Sequence, residues 1–109
     1  MPVTTYRKKQ VKETVIESYF RSQIEKHFPS SQVHKYTPRR GEPDRICLLP
    51  GGRAIFVEIK RPGEKPRPEQ YRALERLQAL GYVACWLDTR EKIDSFILEL
   101  KWTLLNLYR

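Results

Sequence analysis

Apolar positions recur at helical spacing in the first third of the chain. Val11, Val15 and Tyr19 fall on one line, and Ile16, Phe20 and Ile24 fall one position round from it. Tyr6 to His27 is therefore predicted as a helix, stopped by Pro29 and the Ser30-Ser31 pair. The period then drops to two. Gln32 to Tyr36 alternates as a short strand, and two further apolar runs follow, Asp44 to Leu49 and Arg53 to Lys60. Pro50-Gly51-Gly52 joins them, the pattern of a β-hairpin closed by a three-residue loop. In the stretch IFVEIK, alternation places Ile55, Val57 and Ile59 on one face and Phe56, Glu58 and Lys60 on the other.

Two proline-bearing loops, Thr37 to Pro43 and Arg61 to Pro68, flank this hairpin. Pro68 suits the first position of a second helix, with Tyr71, Leu74 and Leu77 on its stripe and Gly81 as its stop. Tyr82 to Asp88 is a continuous apolar run, suited to a strand buried on both faces. It follows a strand and a helix, so a parallel crossover connects it. Thr89 is a good N-cap for a last helix running to the C-terminus. Its core stripe is Ile93, Ile97, Leu100, Leu104 and Leu107, while Leu98, Trp102 and Leu105 form a second apolar stripe. That second stripe is either Trp102 packing over the domain edge or a self-association face. The expected order is α-β-β-β-α-β-α, an α/β fold with a mixed sheet flanked by helices. At 109 residues, the whole span 1–109 is expected to form a single domain.

Composition narrows the class of partner. The chain carries 21 Lys and Arg against 13 Asp and Glu, a net charge of +8, and its basic residues concentrate between Lys35 and Arg67. Such an excess favours polyanions, because each neutralised phosphate releases counterions. No apolar stretch approaches the ~20 residues that span a bilayer. The basic N-terminus is not followed by an apolar segment, so a secretory signal is not expected. Cys47 and Cys85 lie in apolar runs without metal-ligand spacing, and read as buried thiols in a reducing cytoplasm. His27 and His34 read as surface or packing residues, and Trp86 as core.

The hairpin gathers the candidate chemistry. If Leu49 faces Arg53 across the loop, the antiparallel register puts Asp44 directly opposite Glu58, with Cβ atoms about 5 Å apart. Two carboxylates that close repel, and an ordinary sheet avoids them unless a cation lies between. Lys60 shares their face. Glu58-x-Lys60 alone would read as a solvent-facing pair; it takes Asp44 at the cross-strand position together with the surrounding sequence signature to reverse that reading. Hard oxygen donors of this kind suit Mg²⁺ or Mn²⁺, which keep several waters and use few protein carboxylates plus a substrate phosphate. A lysine beside them fits the needs of phosphodiester hydrolysis.

Gly41-x-Pro43-Asp44 followed by Glu58-x-Lys60 resembles the PD-(D/E)xK nuclease signature. The run Arg39 to Gln70, RRGEPDRICLLPGGRAIFVEIKRPGEKPRPEQ, together with ETVIE on the first helix, resembles one branch, the virus-type replication-repair nuclease (VRR-NUC) family. The resemblance covers about residues 12 to 97. Glu42 departs from it, where small or apolar residues are common.

That resemblance implies a restriction-endonuclease-like core and a set of roles. Asp44 and Glu58 would ligate Mg²⁺ or Mn²⁺, with the main-chain carbonyl of Ile59 as a further ligand, and Lys60 would be the catalytic lysine. An acid of the first helix would complete the site; Glu13 and Glu17, four apart on one face, both fit. Gln70 matches the family's glutamine near the metal centre. Arg39, Arg40, Arg61, Lys65 and Arg67 form a credible phosphate-contacting rim on the flanking loops. Family members cut DNA, and small viral forms resemble Holliday-junction resolvases acting as homodimers on branched substrates. The same resemblance implies a phage or prophage gene acting in the bacterial cytoplasm. Two other readings remain open here: a flap or end-processing nuclease working as a monomer, and a nucleic-acid-binding module without catalysis.

Overall fold

Among the described residues, four strands form one sheet in the order β1-β2-β3-β4: β1 Gln32–Lys35, β2 Arg45–Leu49, β3 Arg53–Ile59 and β4 Val83–Leu87. Three helices among those residues flank it: α1 Glu13–His27, α2 Pro68–Ala79 and α3 Arg90–Leu107. This computed structural model describes residues 11–36 and 39–107. Residues 6–10 of the predicted first helix lie outside the described residues, as do Thr37, Pro38 and the side chains of Leu105 and Leu107.

The first three strands pair antiparallel, and β3 pairs with β4 in parallel. The hairpin register is fixed at its turn, where Leu49 faces Arg53. Gly51 and Gly52 both have positive φ, 88° and 74°, a conformation that residues with a Cβ adopt only at a cost. Two adjacent glycines therefore let β2 and β3 reverse without splaying.

Alternation sorts the residues as expected on β2 and β3. Cys47, Leu49, Ile55, Val57 and Ile59 point to one face and are buried. There they meet Ile16, Phe20 and Ile24 of α1 and Ile93, Ile97 and Leu100 of α3 in one continuous core. The two helices also bind each other at the surface, where the Tyr19 hydroxyl donates to Asp94 Oδ1 at 2.6 Å. Helix α2 packs on β4 from the opposite side of the sheet, with Gln70, Ala73 and Leu74 as its buried residues. Thr89 caps α3 as expected, its Oγ1 accepting from Lys92 N at 3.1 Å.

Several expectations need correction. Helix α1 begins at Glu13, because Val11 and Lys12 are not helical. Strand β4 is not buried on both faces. It is the edge of the sheet, with Val83 exposed, and only Ala84 and Leu87 are fully covered. Trp86 is half-buried rather than core, with Tyr71 edge-on to its ring at 6.3 Å between centroids and Lys92 Nζ 4.2 Å above it. The apolar run was real, but two helix side chains cover the indole from the flanks instead of a neighbouring strand.

Candidate functional site

The hairpin pairs Arg45 with Val57, so the residues one step further out, Asp44 just before β2 and Glu58 next to the last residue of β3, lie side by side. Asp44 Oδ1 accepts a hydrogen bond from the Ile59 N–H at 3.2 Å, which fastens the carboxylate across the strand end. Glu58 is only 4% exposed. Its Oε2 lies 3.6 Å from Lys60 Nζ and accepts from Gln70 Nε2 at 3.1 Å. Its Oε1 is buried with no hydrogen-bond partner among the described residues. A buried acceptor left unmatched is costly, so this oxygen is a candidate donor to a cation.

Electrostatics follow from that crowding. Burial, reinforced by the nearby charge of Asp44, pushes Glu58 up to about 7, against the opposing pull of Lys60. Burial also raises Asp44 above the usual carboxylate range, although the Arg45 guanidinium works the other way. Both shifts express the same strain: two acids in a partly dry site with too little positive charge beside them.

The two acids of α1 differ sharply. Glu17 Oε2 is held by Arg45 Nε at 2.7 Å and by Arg21 Nε at 2.8 Å. Burial opposes its ionisation, but those hydrogen bonds outweigh it and hold Glu17 below its ordinary value. Glu13, one turn earlier, makes no hydrogen bond or ion pair among the described residues. Burial and then the charge of Asp44 raise its pKa, while Arg45 and then Lys60 act on it in the opposite sense. Glu13 thus faces the field of the strand-end acids, whereas Glu17 is committed to arginines.

Two loops close the site. Gly41 has φ +87°, and a Cβ there would approach Glu69 Cγ to 3.1 Å, so glycine lets the loop before Asp44 lie against the start of α2. The unusual Glu42 is accommodated in the same place, facing Arg76 at 3.9 Å. On the other side, Gln70 Oε1 caps α2 by accepting from Arg67 N at 2.8 Å, leaving its amide nitrogen for Glu58. Sequence reasoning missed Asp88. It is buried at the end of β4, accepts from Gly63 N at 3.1 Å, and pairs with Lys92 at 2.9 Å, so it ties down the loop that follows Lys60. A lone acid ending an apolar run was the available signal.

No protein-family model matches the chain. A protein named "Putative nuclease p44", from Acyrthosiphon pisum secondary endosymbiont phage 1, is 42% identical over 81 residues, which cover 74% of this chain and 87% of that protein. A solved structure described as a VRR_NUC domain superposes with a TM-score of 0.70 at 31% identity, covering 80% of this chain and 95% of that one. The chain belongs to the VRR-NUC family.

In this VRR-NUC chain, Arg39, Arg40, Arg61, Lys65 and Arg67 are all exposed on the loops around the strand end. Two of them are partly occupied, Arg61 by Glu64 at 3.9 Å and Arg67 by Glu69 at 3.2 Å. Among the described residues, no three His, Cys, Asp or Glu side chains converge as a ready cage for a metal ion. Mg²⁺ does not need one, since it is commonly held by one or two carboxylates with waters and substrate phosphate completing its octahedron. The donor set and the unmatched Glu58 oxygen fit such an ion. The two thiols stay free and protonated, burial pushing Cys47 up to about 12. No helix among the described residues is long and apolar enough to cross a membrane.

Proposed function

We propose that this VRR-NUC chain is a Mg²⁺- or Mn²⁺-dependent deoxyribonuclease that cuts branched DNA as a homodimer, in the manner of a Holliday-junction resolvase, with residues 1–109 as one nuclease domain. The observation that carries this reading is Asp44, one step outside the Arg45–Val57 pair, set beside a buried Glu58 whose Oε1 is unmatched among the described residues. The nuclease name of the phage relative points the same way, and it supports action in the cytoplasm of a bacterial host.

Asp44, Glu58 and the Ile59 carbonyl would hold the ion. When bound, it supplies Lewis-acid polarisation of the phosphoryl oxygen and neutralises negative charge there. Lys60 Nζ, already beside Glu58, is placed to offset charge on the reacting phosphate and to orient the attacking water. Glu13, the α1 acid without a partner of its own, serves the site at longer range. Gln70 holds the Glu58 carboxylate in one orientation. Water forms a bond to phosphorus as the bond to the 3′ oxygen breaks, leaving a 5′-phosphate and a 3′-hydroxyl. The five exposed basic residues of the rim contact phosphates on either side and position the duplex without reading sequence.

The dimeric reading rests on Leu98 and Trp102, which are 69% and 65% exposed on α3. Such side chains on one helix face are suited to a partner copy. Four-way junctions, flaps and nicked duplexes offered in parallel with Mg²⁺ or Mn²⁺ test the proposal. Junction cleavage that disappears with chelator, and in Asp44→Ala and Lys60→Ala, is expected. Cleavage confined to flaps by a monomer would replace it with an end-processing enzyme. Metal-independent DNA binding with no cleavage of any substrate would overturn it in favour of a binding module.

A further inference from the structure

Arg45 is among the few buried charged residues of the fold, and the reaction outlined above gives it no task. It follows Asp44 directly, and alternation turns its side chain to the core face, away from the sheet face of Glu58. There the guanidinium makes three contacts. Nε donates to Glu17 Oε2 at 2.7 Å, Nη1 donates to the Asp44 main-chain oxygen at 2.9 Å, and Nη1 also lies 3.4 Å from Asp44 Oδ2. Glu17 is braced in turn by Arg21 Nε at 2.8 Å, and Arg21 Nη1 reaches the Val33 carbonyl at 2.8 Å. One chain of charge-assisted bonds therefore joins α1 and β1 to Asp44, the residue just before β2.

We propose that Arg45 is a positioning residue for the Asp44 carboxylate, and that Glu17 acts only by holding Arg45, so that this buried pair sets the divalent-ion affinity of the site from outside it. The inference rests on the nuclease reading of Asp44 and Glu58. Oδ1 accepts from the Ile59 amide at 3.2 Å and Oδ2 lies 3.4 Å from the Arg45 guanidinium, so the carboxylate is restrained at both oxygens. Planar guanidinium geometry suits this work, since one rigid fork holds Nε on Glu17 and Nη1 on the Asp44 backbone at fixed spacing, which the single nitrogen of an ammonium does not reproduce. Partners that orient a metal ligand typically change metal affinity by about 10–100-fold when removed.

A purely electrostatic role has the opposite sign. Arg45 is a cation close to the ion's seat, so neutralising it would strengthen uptake if charge were its only contribution. Isothermal titration of Mn²⁺ into the DNA-free chain distinguishes the two. Arg45→Met should weaken Mn²⁺ binding by about tenfold, and Arg45→Lys should recover only part of the loss. Glu17→Gln, which keeps an acceptor for Arg45, should bind Mn²⁺ within about threefold of the parent, whereas Asp44→Asn should lose most of the affinity.

Arg45→Met leaves Glu17 short of a partner and can impair folding, so the double variant Glu17→Leu/Arg45→Met is the control. Removing both charges together restores much of the thermal stability, and Mn²⁺ affinity should nevertheless stay low. Recovery of affinity along with stability would reduce the pair to a structural ion pair and overturn the inference. Unchanged or tighter Mn²⁺ binding in Arg45→Met would overturn it too, as would a Glu17→Gln loss as large as that of Asp44→Asn, which would make Glu17 a ligand. Those three results leave the nuclease reading standing. Absence of Mn²⁺ uptake by the parent chain would instead overturn that reading, and this one with it.

Discussion

Gln70 Nε2 donates to Glu58 Oε2 at 3.1 Å, although the two residues belong to a helix start and a strand end twelve positions apart. The other end of the same amide is spent on the Arg67 N–H. Gln70 therefore cannot turn without uncapping α2, and this is what keeps its donor aimed at the acid.

Loss of that donor has a definite sign. A hydrogen bond to the ionised form favours it, so Gln70→Ala should raise the Glu58 pKa further. Cleavage by Gln70→Ala should fall by about tenfold at neutral pH, and the acidic limb of the pH-rate profile should move upward. A uniform loss with an unmoved limb would assign Gln70 to the helix cap alone.

Acid-base linkage gives a second expectation, for the metal-free protein. Glu58 sits at about 7 in the folded chain against an ordinary 4.5. A carboxyl whose folded value is raised contributes stability that is complete below 4.5 and lost as pH climbs through 7. Melting temperature without metal should thus decline across that window. If Glu58 holds Mg²⁺ or Mn²⁺, the ion must displace the proton, so its stabilising effect should be large at pH 8 and nearly absent at pH 5. Thermal melts at both pH values, with metal and with chelator, check the sign.

The apolar face of α3 makes a third prediction. Trp102→Glu, at a position 65% exposed, should leave the monomer fold intact because the core stripe is untouched. If Trp102 lies in a dimer, light scattering should show the parent as a dimer and the variant as a monomer. A parent that is monomeric at all concentrations removes the dimer from the proposal.

Asp88 supplies a fourth. Its Gly63 bond and its Lys92 ion pair hold the loop that carries Arg61, Lys65 and Arg67. Asp88→Ala should cost about 1–3 kcal/mol of stability, the usual range for stranding a buried partner. If the loop contacts phosphates, KM for DNA should rise several-fold while kcat changes little, as steady-state cleavage would read.

Much of the site was legible because its decisive contact is local. Asp44 and Glu58 are joined by a hairpin whose register is dictated by Gly51 and Gly52, and a tight turn leaves little freedom of pairing. The stripes of α1 and α3 were legible for a similar reason, since 3.6-residue periodicity needs no tertiary knowledge. Strand order was not. Tyr82 to Asp88 reads as doubly covered, yet β4 is an edge, and what shields Trp86 is Tyr71 and Lys92 from separate helices. The difference in surroundings between Glu13 and Glu17 was equally hidden. It depends on Arg45, a residue 28 positions from Glu17 whose side chain crosses to α1. No spacing rule carries that information.

The parallel joining of β3 to β4 through α2 has a consequence for how the chain acquires its chemistry. A turn of three residues closes with little entropic penalty, whereas bringing Leu87 beside Ile59 requires the whole intervening helix to fold back. The two acids should accordingly be brought into opposition early, before glutamine and the lysine loop have arrived to moderate them. Pulsed hydrogen exchange would then find the Arg53 amide protected ahead of the Lys60 amide, which bonds to Leu87 O at 2.9 Å. During that interval the nascent hairpin holds two like charges close together with little to offset them, and if these acids take up a divalent ion, that ion should change the folding rate as well as the finished state.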